Sequence, residues 1–243
     1  RNTARYCLGN LDGFDPDQLV SPADMLELDR WAVTRLNDLI AKCFKAYDEY
    51  EFNAVTHAVN DFCVVELSNF YLDIIKDRLY CDGKDSAARR SAQTALFLIL
   101  DTMTKIMAPI LAFTCDEIWQ AMPHRAGDDG RNVVFNDMNK PFADYALSAD
   151  EMARWDKIIE VRTAVNSVLE TARAEKKIGK SLEADVTLTV PAEDAFLAEM
   201  DGATLADLLI VSQVEVSAGD ALHASAENAA GTKCPRCWKH STK

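Results

Sequence analysis

The sequence predicts a mainly α fold: a helical bundle, then a long helix associated with it, then a small α/β module. Three observations carry that expectation. Apolar residues recur at helical spacing through about residue 125, Ser/Thr and Glu capping pairs open several segments, and the apolar period changes from helical to two at 186–190. With 243 residues and 49% hydrophobic content, the chain can fill one large core or two modest ones.

Within the bundle, assigned to residues 1–125, Ser21-Pro22-Ala23-Asp24 reads as an N-cap with proline at the first helical position. Met25, Leu28, Ala32, Leu36, Leu39, Cys43 and Tyr47 then keep helical spacing. A second helix is expected from about Asn53. Its Val55, Val59, Phe62, Val65, Phe70, Leu72 and Ile75 occupy more than one stripe, the pattern of a central helix. A third begins at Asp85 or Ser86 and runs to Met107, because Pro109 removes a donor and crowds the preceding turn. Thr114-x-x-Glu117 is read as a capping box for a short helix through Met122.

Residues 126–147, with Gly127-Asp128-Asp129-Gly130, read as loop or linker. Ser148-x-x-Glu151 opens a long helix that stops at Gly179, so 148–180 is assigned as a helix associated with the bundle. Residues 181–220 form the α/β module, with strands at 186–190 and 214–216 and two short helical patterns between them. The Ala-rich run that follows is expected to be linker or frayed helix, so that 221–243 leads to Cys234-Pro235-Arg236-Cys237-Trp238.

That knuckle is one half of a four-thiolate zinc ribbon. A structural zinc site closes a tetrahedron with four protein ligands, and Cys234 and Cys237 supply two, with His240 the nearest further donor. Cys7, Cys43, Cys63, Cys81 and Cys115 stand singly among apolar residues and read as buried small hydrophobes. The site is therefore incomplete, and the chain is expected to be a piece of a longer protein. Unpaired cysteines, no charged-then-apolar leader and no apolar run near 18 residues point to a reducing cytoplasm and no membrane.

A net charge of −13 is unfavourable for binding phosphates until its distribution is considered. Residues 182–232 hold ten Asp or Glu and no Lys or Arg, so the remainder is near balance. Two basic clusters stand out there. Lys76, Arg78, Lys84, Arg89 and Arg90 bracket a Cys81-Asp82-Gly83 turn, and Arg173, Lys176, Lys177 and Lys180 follow the long helix; both patterns also suit solvated helix ends. No catalytic constellation is present: there is no Gly-rich phosphate loop after a strand and no Ser, His and Asp set with a recognisable elbow.

Five segments, in order, resemble bacterial isoleucyl-tRNA synthetase: residues 1–11 (RNTARYCLGNL), 70–78 (FYLDIIKDR), Met107-Ala108-Pro109 with Phe113-Thr114 and Asp116-Glu117-Ile118-Trp119, Ser181-Leu182-Glu183-Ala184, and the cysteine knuckle. The resemblance covers essentially the whole chain. It implies the C-terminal part of an ATP-dependent class I ligase that joins isoleucine to its tRNA as a cytoplasmic monomer. The nucleotide-binding fold that uses ATP and magnesium, and the editing domain, would lie outside this chain, so it should bind tRNA and not catalyse. Lys176-Lys177-Ile178-Gly179-Lys180-Ser181 superficially resembles the lysine-serine loop that holds ATP in such enzymes, but it follows a long helix and is read as a connection. The resemblance also implies zinc held by Cys234 and Cys237 with a distal cysteine pair.

An anticodon loop presents unstacked bases and a curved phosphate path, which cations and planar side chains read. Arg1, Arg5, Lys76, Arg78, Arg89 and Arg90 are the candidate contacts, and the acidic module is assigned a packing role. Two alternatives remain open: the same region of a valyl or leucyl enzyme, or a helical protein-interaction scaffold with Trp31, Trp119 and Trp155 as surface anchors.

Overall fold

The computed structural model describes residues 1–242 and divides after Ser148 into two compact units. The first is built on helices α1 (Asn2–Asn10), α2 (Glu27–Asp48), α3 (Phe52–Asp61), α4 (Leu72–Ile74), α5 (Lys76–Tyr80), α6 (Ala87–Met107) and α7 (Ala112–Ala121). A π-helical segment, Phe62–Tyr71, joins α3 to α4. The central helix is α6, not the segment from Asn53. Every residue from Ser91 to Ile106 is buried, and α1, α2, α5 and α7 all pack on it. Helical spacing is a poor guide to the preceding segment because π winding is wider than the 3.6-residue turn, and Val64 and Val65 face solvent at 46% and 56% exposure.

The polar side chains on α6 each find a partner, as burial requires. The Gln93 amide donates to the Asn10 carbonyl at 2.8 Å, the Thr94 hydroxyl accepts from the Val20 N–H at 3.1 Å, and the Thr104 hydroxyl donates to the Leu100 carbonyl at 2.7 Å. Asp101 and Lys105 pair within the helix at 2.9 Å.

Two capping expectations are corrected, and the helix expected from Asp85 or Ser86 is found as α6. Ser86 caps α6, its hydroxyl accepting from the Arg89 N–H at 3.1 Å. Ser21 makes the same kind of bond with the Asp24 N–H at 3.3 Å, yet only a turn results, and α2 starts at Glu27 after an extended Leu26. Thr114 lies inside α7, whose N-cap is Leu111. Residues 126–147 are a loop, as read, with two short 3-10 turns, and the loop is fastened to the bundle. The Trp119 indole donates to the Asp129 carbonyl at 3.1 Å, Arg30 reaches the Ala146 carbonyl at 2.8 Å, and the Phe142 N–H donates to Asn37 at 2.7 Å. Trp31, Trp119 and Trp155 are all buried, which removes the surface anchors of the scaffold alternative.

In the second unit, α8 (Ala149–Ala174) packs on a three-stranded sheet and falls within the same compact unit as that sheet. Strand β1 (Ala184–Val190) lies between β2 (Gln213–Ala218), parallel, and β3 (His223–Asn228), antiparallel. A parallel pair needs a crossover, supplied here by α9 (Phe196–Glu199) and α10 (Gly202–Leu209). Ala184, Val186, Leu188 and Val190 face the core, giving the alternation read in the sequence. The Ala-rich run is the strand β3, whose small side chains fit the close packing of α8 on the sheet. A hairpin of β4 (Thr232–Lys233) and β5 (His240–Ser241) carries the knuckle. Gly231 enters it at φ +99, where a Cβ would lie 2.1 Å from the Ser241 carbonyl oxygen, so only glycine fits.

Candidate nucleic-acid interface

The turn between α5 and α6 brings together four of the six candidate cations, and their surroundings separate them. Arg78 is a structural cation. Its Nη1 and Nη2 donate to Oδ2 and Oδ1 of the fully buried Asp29 at 2.9 and 3.1 Å. Burial works against its charge, but the Asp29 carboxylate, with Tyr71 and Asp82 nearby, more than offsets this and raises its pKa. Pulling Arg78 away to meet a phosphate would strand a buried carboxylate, so it is withdrawn as a tRNA contact.

Arg89 and Arg90 are half-engaged. Arg89 donates to the Leu79 carbonyl at 3.0 Å, and Arg90 to Gln93 at 2.9 Å and Asp85 at 3.2 Å. Lys76 is exposed beside Asp73 at 2.6 Å. At the start of α1, Arg1 reaches Thr114 at 3.3 Å and Glu117 at 3.8 Å, while Arg5 is exposed with no side-chain partner among the described residues. Two groups at the turn were left out of the candidate contacts: exposed Lys84, whose stem lies over Gly13, and Tyr80, 62% exposed.

The second unit gathers a surface from three separate segments. Trp238 is 52% exposed and holds a left-handed backbone at φ 66. Lys180, from the connection after α8, places Nζ 5.0 Å from its ring centroid, and Lys233, from β4, places Nζ at 5.8 Å. Both distances lie within cation–π range. Glu183 shapes the 179–183 turn by accepting from the Gly179 and Lys180 N–H groups at 2.8 and 3.2 Å; those bonds lower its carboxyl pKa. Exposed Lys176 lies on the same connection, whereas Arg173 is tied to Glu170 and donates to Ser181.

At the knuckle, the Cys234 N–H donates to the Lys239 carbonyl at 2.8 Å and the Trp238 N–H to the Cys234 carbonyl at 3.0 Å. The Cys237 and Arg236 N–H groups bond the Cys234 sulfur and hold its thiol below the usual range. That arrangement suits a metal-bound thiolate. No group of three or more His, Cys, Asp and Glu able to hold a metal occurs among the described residues, and a zinc ribbon needs four protein ligands. The bundle thiols contrast with this. Burial pushes Cys7 up to about 12, and Cys43 and Cys115 to about 11.

Residues 29–188 match the anticodon-binding domain of tRNA ligase. The chain belongs to that family. The isoleucine–tRNA ligase of Syntrophotalea carbinolica is 47% identical over the full length of this chain, which covers 27% of that relative. Those of Geobacter sulfurreducens and Caldicellulosiruptor saccharolyticus are 45% and 43% identical, over 99% and 100% of this chain, which covers 27% and 26% of them. The chain thus spans about a quarter of the length of the curated relatives it matches.

Proposed function

We propose that this chain is the anticodon-arm-binding part of an isoleucine–tRNA ligase. Bases of the loop stack on exposed rings, and lysines beside those rings meet the phosphates. The observation that carries this reading is Trp238, an exposed ring with two lysine ammonium groups within 6 Å of its centroid. Base stacking on such a ring tolerates many sequences, while the flanking cations follow the backbone. On the first unit, Tyr80 and Lys84 form the corresponding pair of chemistries, with Lys76, Arg89 and Arg90 at the margin and Arg1 and Arg5 as a separate set.

Isoleucine specificity is supported by the names of the relatives. In this reading the chain works as a monomer in the cytoplasm; no helix among the described residues is long and apolar enough to cross a membrane. Attachment of isoleucine, with its ATP and magnesium, belongs to other parts of the enzyme. Zinc would be held by Cys234 and Cys237 with two further ligands, fixing the hairpin on which Trp238 stands.

The test is a fluorescence-anisotropy titration of isoleucine tRNA at several salt concentrations, with a non-cognate tRNA beside it. Saturable binding that favours the cognate tRNA and weakens linearly on a log–log plot against salt is expected. Equal binding to both tRNAs and to a plain duplex would overturn the assignment. In the same preparation, isoleucine-dependent exchange of pyrophosphate into ATP should not rise above buffer.

A further inference from the structure

Asp29 accepts four hydrogen bonds from three elements beyond its own helix. Tyr71 Oη donates to Oδ1 at 2.7 Å, Ser91 Oγ to Oδ2 at 2.5 Å, and Arg78 to both oxygens at 2.9 and 3.1 Å. Ser91 also accepts from the Leu26 N–H at 2.9 Å, tying in the approach to α2. The donors come from the end of the π segment, the first turns of α6 and the middle of α5. Burial, with Asp29 alongside, pushes the Tyr71 hydroxyl well above its ordinary range, so it stays a donor at any ordinary pH.

Helix α5 is five residues long and is separated from α4 by a break at Ile75. A helix so short has almost no stability of its own, and its place must be set by tertiary bonds. The Arg78 fork supplies them, because two parallel bonds to one carboxylate fix direction as well as distance. From there the connection runs outward. Arg78 senses the charge of Asp82, the Ser86 hydroxyl donates to Asp82 at 3.1 Å while capping α6, and Arg89 closes back on the Leu79 carbonyl at 3.0 Å. Tyr80 and Lys84 stand on that frame.

We infer that the buried Asp29–Tyr71–Arg78–Ser91 cluster is a positioning device for the α5–α6 turn, setting the place of Tyr80 and Lys84 against RNA without touching it. This rests on the proposal that the turn binds the anticodon arm. A buried ion pair often contributes little net stability over an apolar replacement, and fixing one arrangement out of several is its best-attested use. Arg78 and Tyr71 are thus positioning residues.

The experiment compares Arg78→Lys, Tyr71→Phe and Lys84→Ala in the whole chain with isoleucine tRNA across a salt series, each variant checked for native circular dichroism. Lysine keeps the charge and loses the fork, and phenylalanine keeps the ring and loses one bond. Folded Arg78→Lys and Tyr71→Phe should bind about three- to tenfold more weakly with an unchanged salt slope, the size usual for coupling through packed elements. Lys84→Ala should flatten the slope by about 0.7–0.9 for its one phosphate contact. Wild-type affinity in both folded positioning variants, beside a flattened Lys84→Ala, overturns the device and leaves the tRNA reading standing. A slope in Arg78→Lys that falls as in Lys84→Ala overturns it differently, by making Arg78 a direct contact. An unchanged Lys84→Ala removes the turn from the interface and the inference with it.

Discussion

Two clusters of Lys and Arg look alike as sequence, one around residues 76–90 and one around 173–180, and in each the fold engages some cations and leaves others at the surface. In the first, Arg78, Arg89 and Arg90 are drawn into carboxylates and carbonyls of their own unit, leaving Lys84 as the least encumbered cation. In the second, Arg173 and Lys177 are likewise paired with Glu170 and Glu175, but Lys180 is joined at the surface by Trp238 and by Lys233, which lies 3.9 Å from Glu183, both from more than fifty positions away. Local cation density therefore does not measure the charge offered to a partner. The nearest carboxylate in space does, and for Arg78 it lies 49 positions away in sequence.

The contrast is broken most forcefully at Asp29. Asp29→Ala leaves a buried guanidinium uncompensated and should cost about 3–5 kcal/mol, read as a lower urea midpoint with an unchanged m value. An effect below about 1 kcal/mol would mean that Arg78 readily turns to water, and the first cluster would then offer as much charge as the second. At the other surface, Trp238→Ala should leave the urea midpoint nearly in place and weaken tRNA binding by about 1–3 kcal/mol, roughly five- to 150-fold. Unchanged binding would return the interface to the first unit.

A double comparison sharpens the same point with a smaller effect. Lys180→Ala with Lys233→Ala should lower the log–log salt slope by about 1.4–1.8 if each ammonium meets one phosphate. Arg89→Ala with Arg90→Ala should lower it by clearly less, since the Leu79 carbonyl, Asp85 and Gln93 already occupy their donors. The reverse ranking would show that these internal bonds yield to RNA.

How far the sequence could be read depended on whether the deciding contact was local. The start of α6 near Ser86, its end before Pro109 and the alternation of β1 were legible, because each depends on neighbours within a few residues. The π winding of 62–71 was not, since it shifts the apolar stripes away from the helical template. Ser21 shows the intermediate case: the capping bond forms, but the chain goes extended at Leu26, whose N–H is held by Ser91 on a different helix. Within the candidate site, cation identities were legible and their availability was not. The pairing of Lys180 with Trp238 exists only once β1 and the knuckle hairpin have folded.

The smallest expected effect concerns the thiols, which repeat the division between engaged and available groups. Cys7 is fully buried with its pKa raised from 9.0 to about 12, so the folded protein keeps this thiol protonated where an unfolded chain would ionise it. The sign follows directly: the thiol leaves stability untouched below about pH 9 and costs it progressively as pH climbs toward 12, because ionisation is gained only by unfolding. The loss from Cys7 alone sets in near pH 9 and approaches roughly 1 kcal/mol per further pH unit. Urea titrations in reducing buffer between pH 7 and 10 should show this decline, and Cys7→Ala, less stable overall through its lost packing, should show a shallower one. A thiol-reactive dye at neutral pH should label Cys234 within the folded state and reach Cys7 only through unfolding, since burial raises one thiol while backbone N–H groups stabilise the other as thiolate. If Cys7 labelled as fast as Cys234 under native conditions, α1 would be opening from the bundle, and Arg1 and Arg5 would have to be judged as cations on a mobile arm.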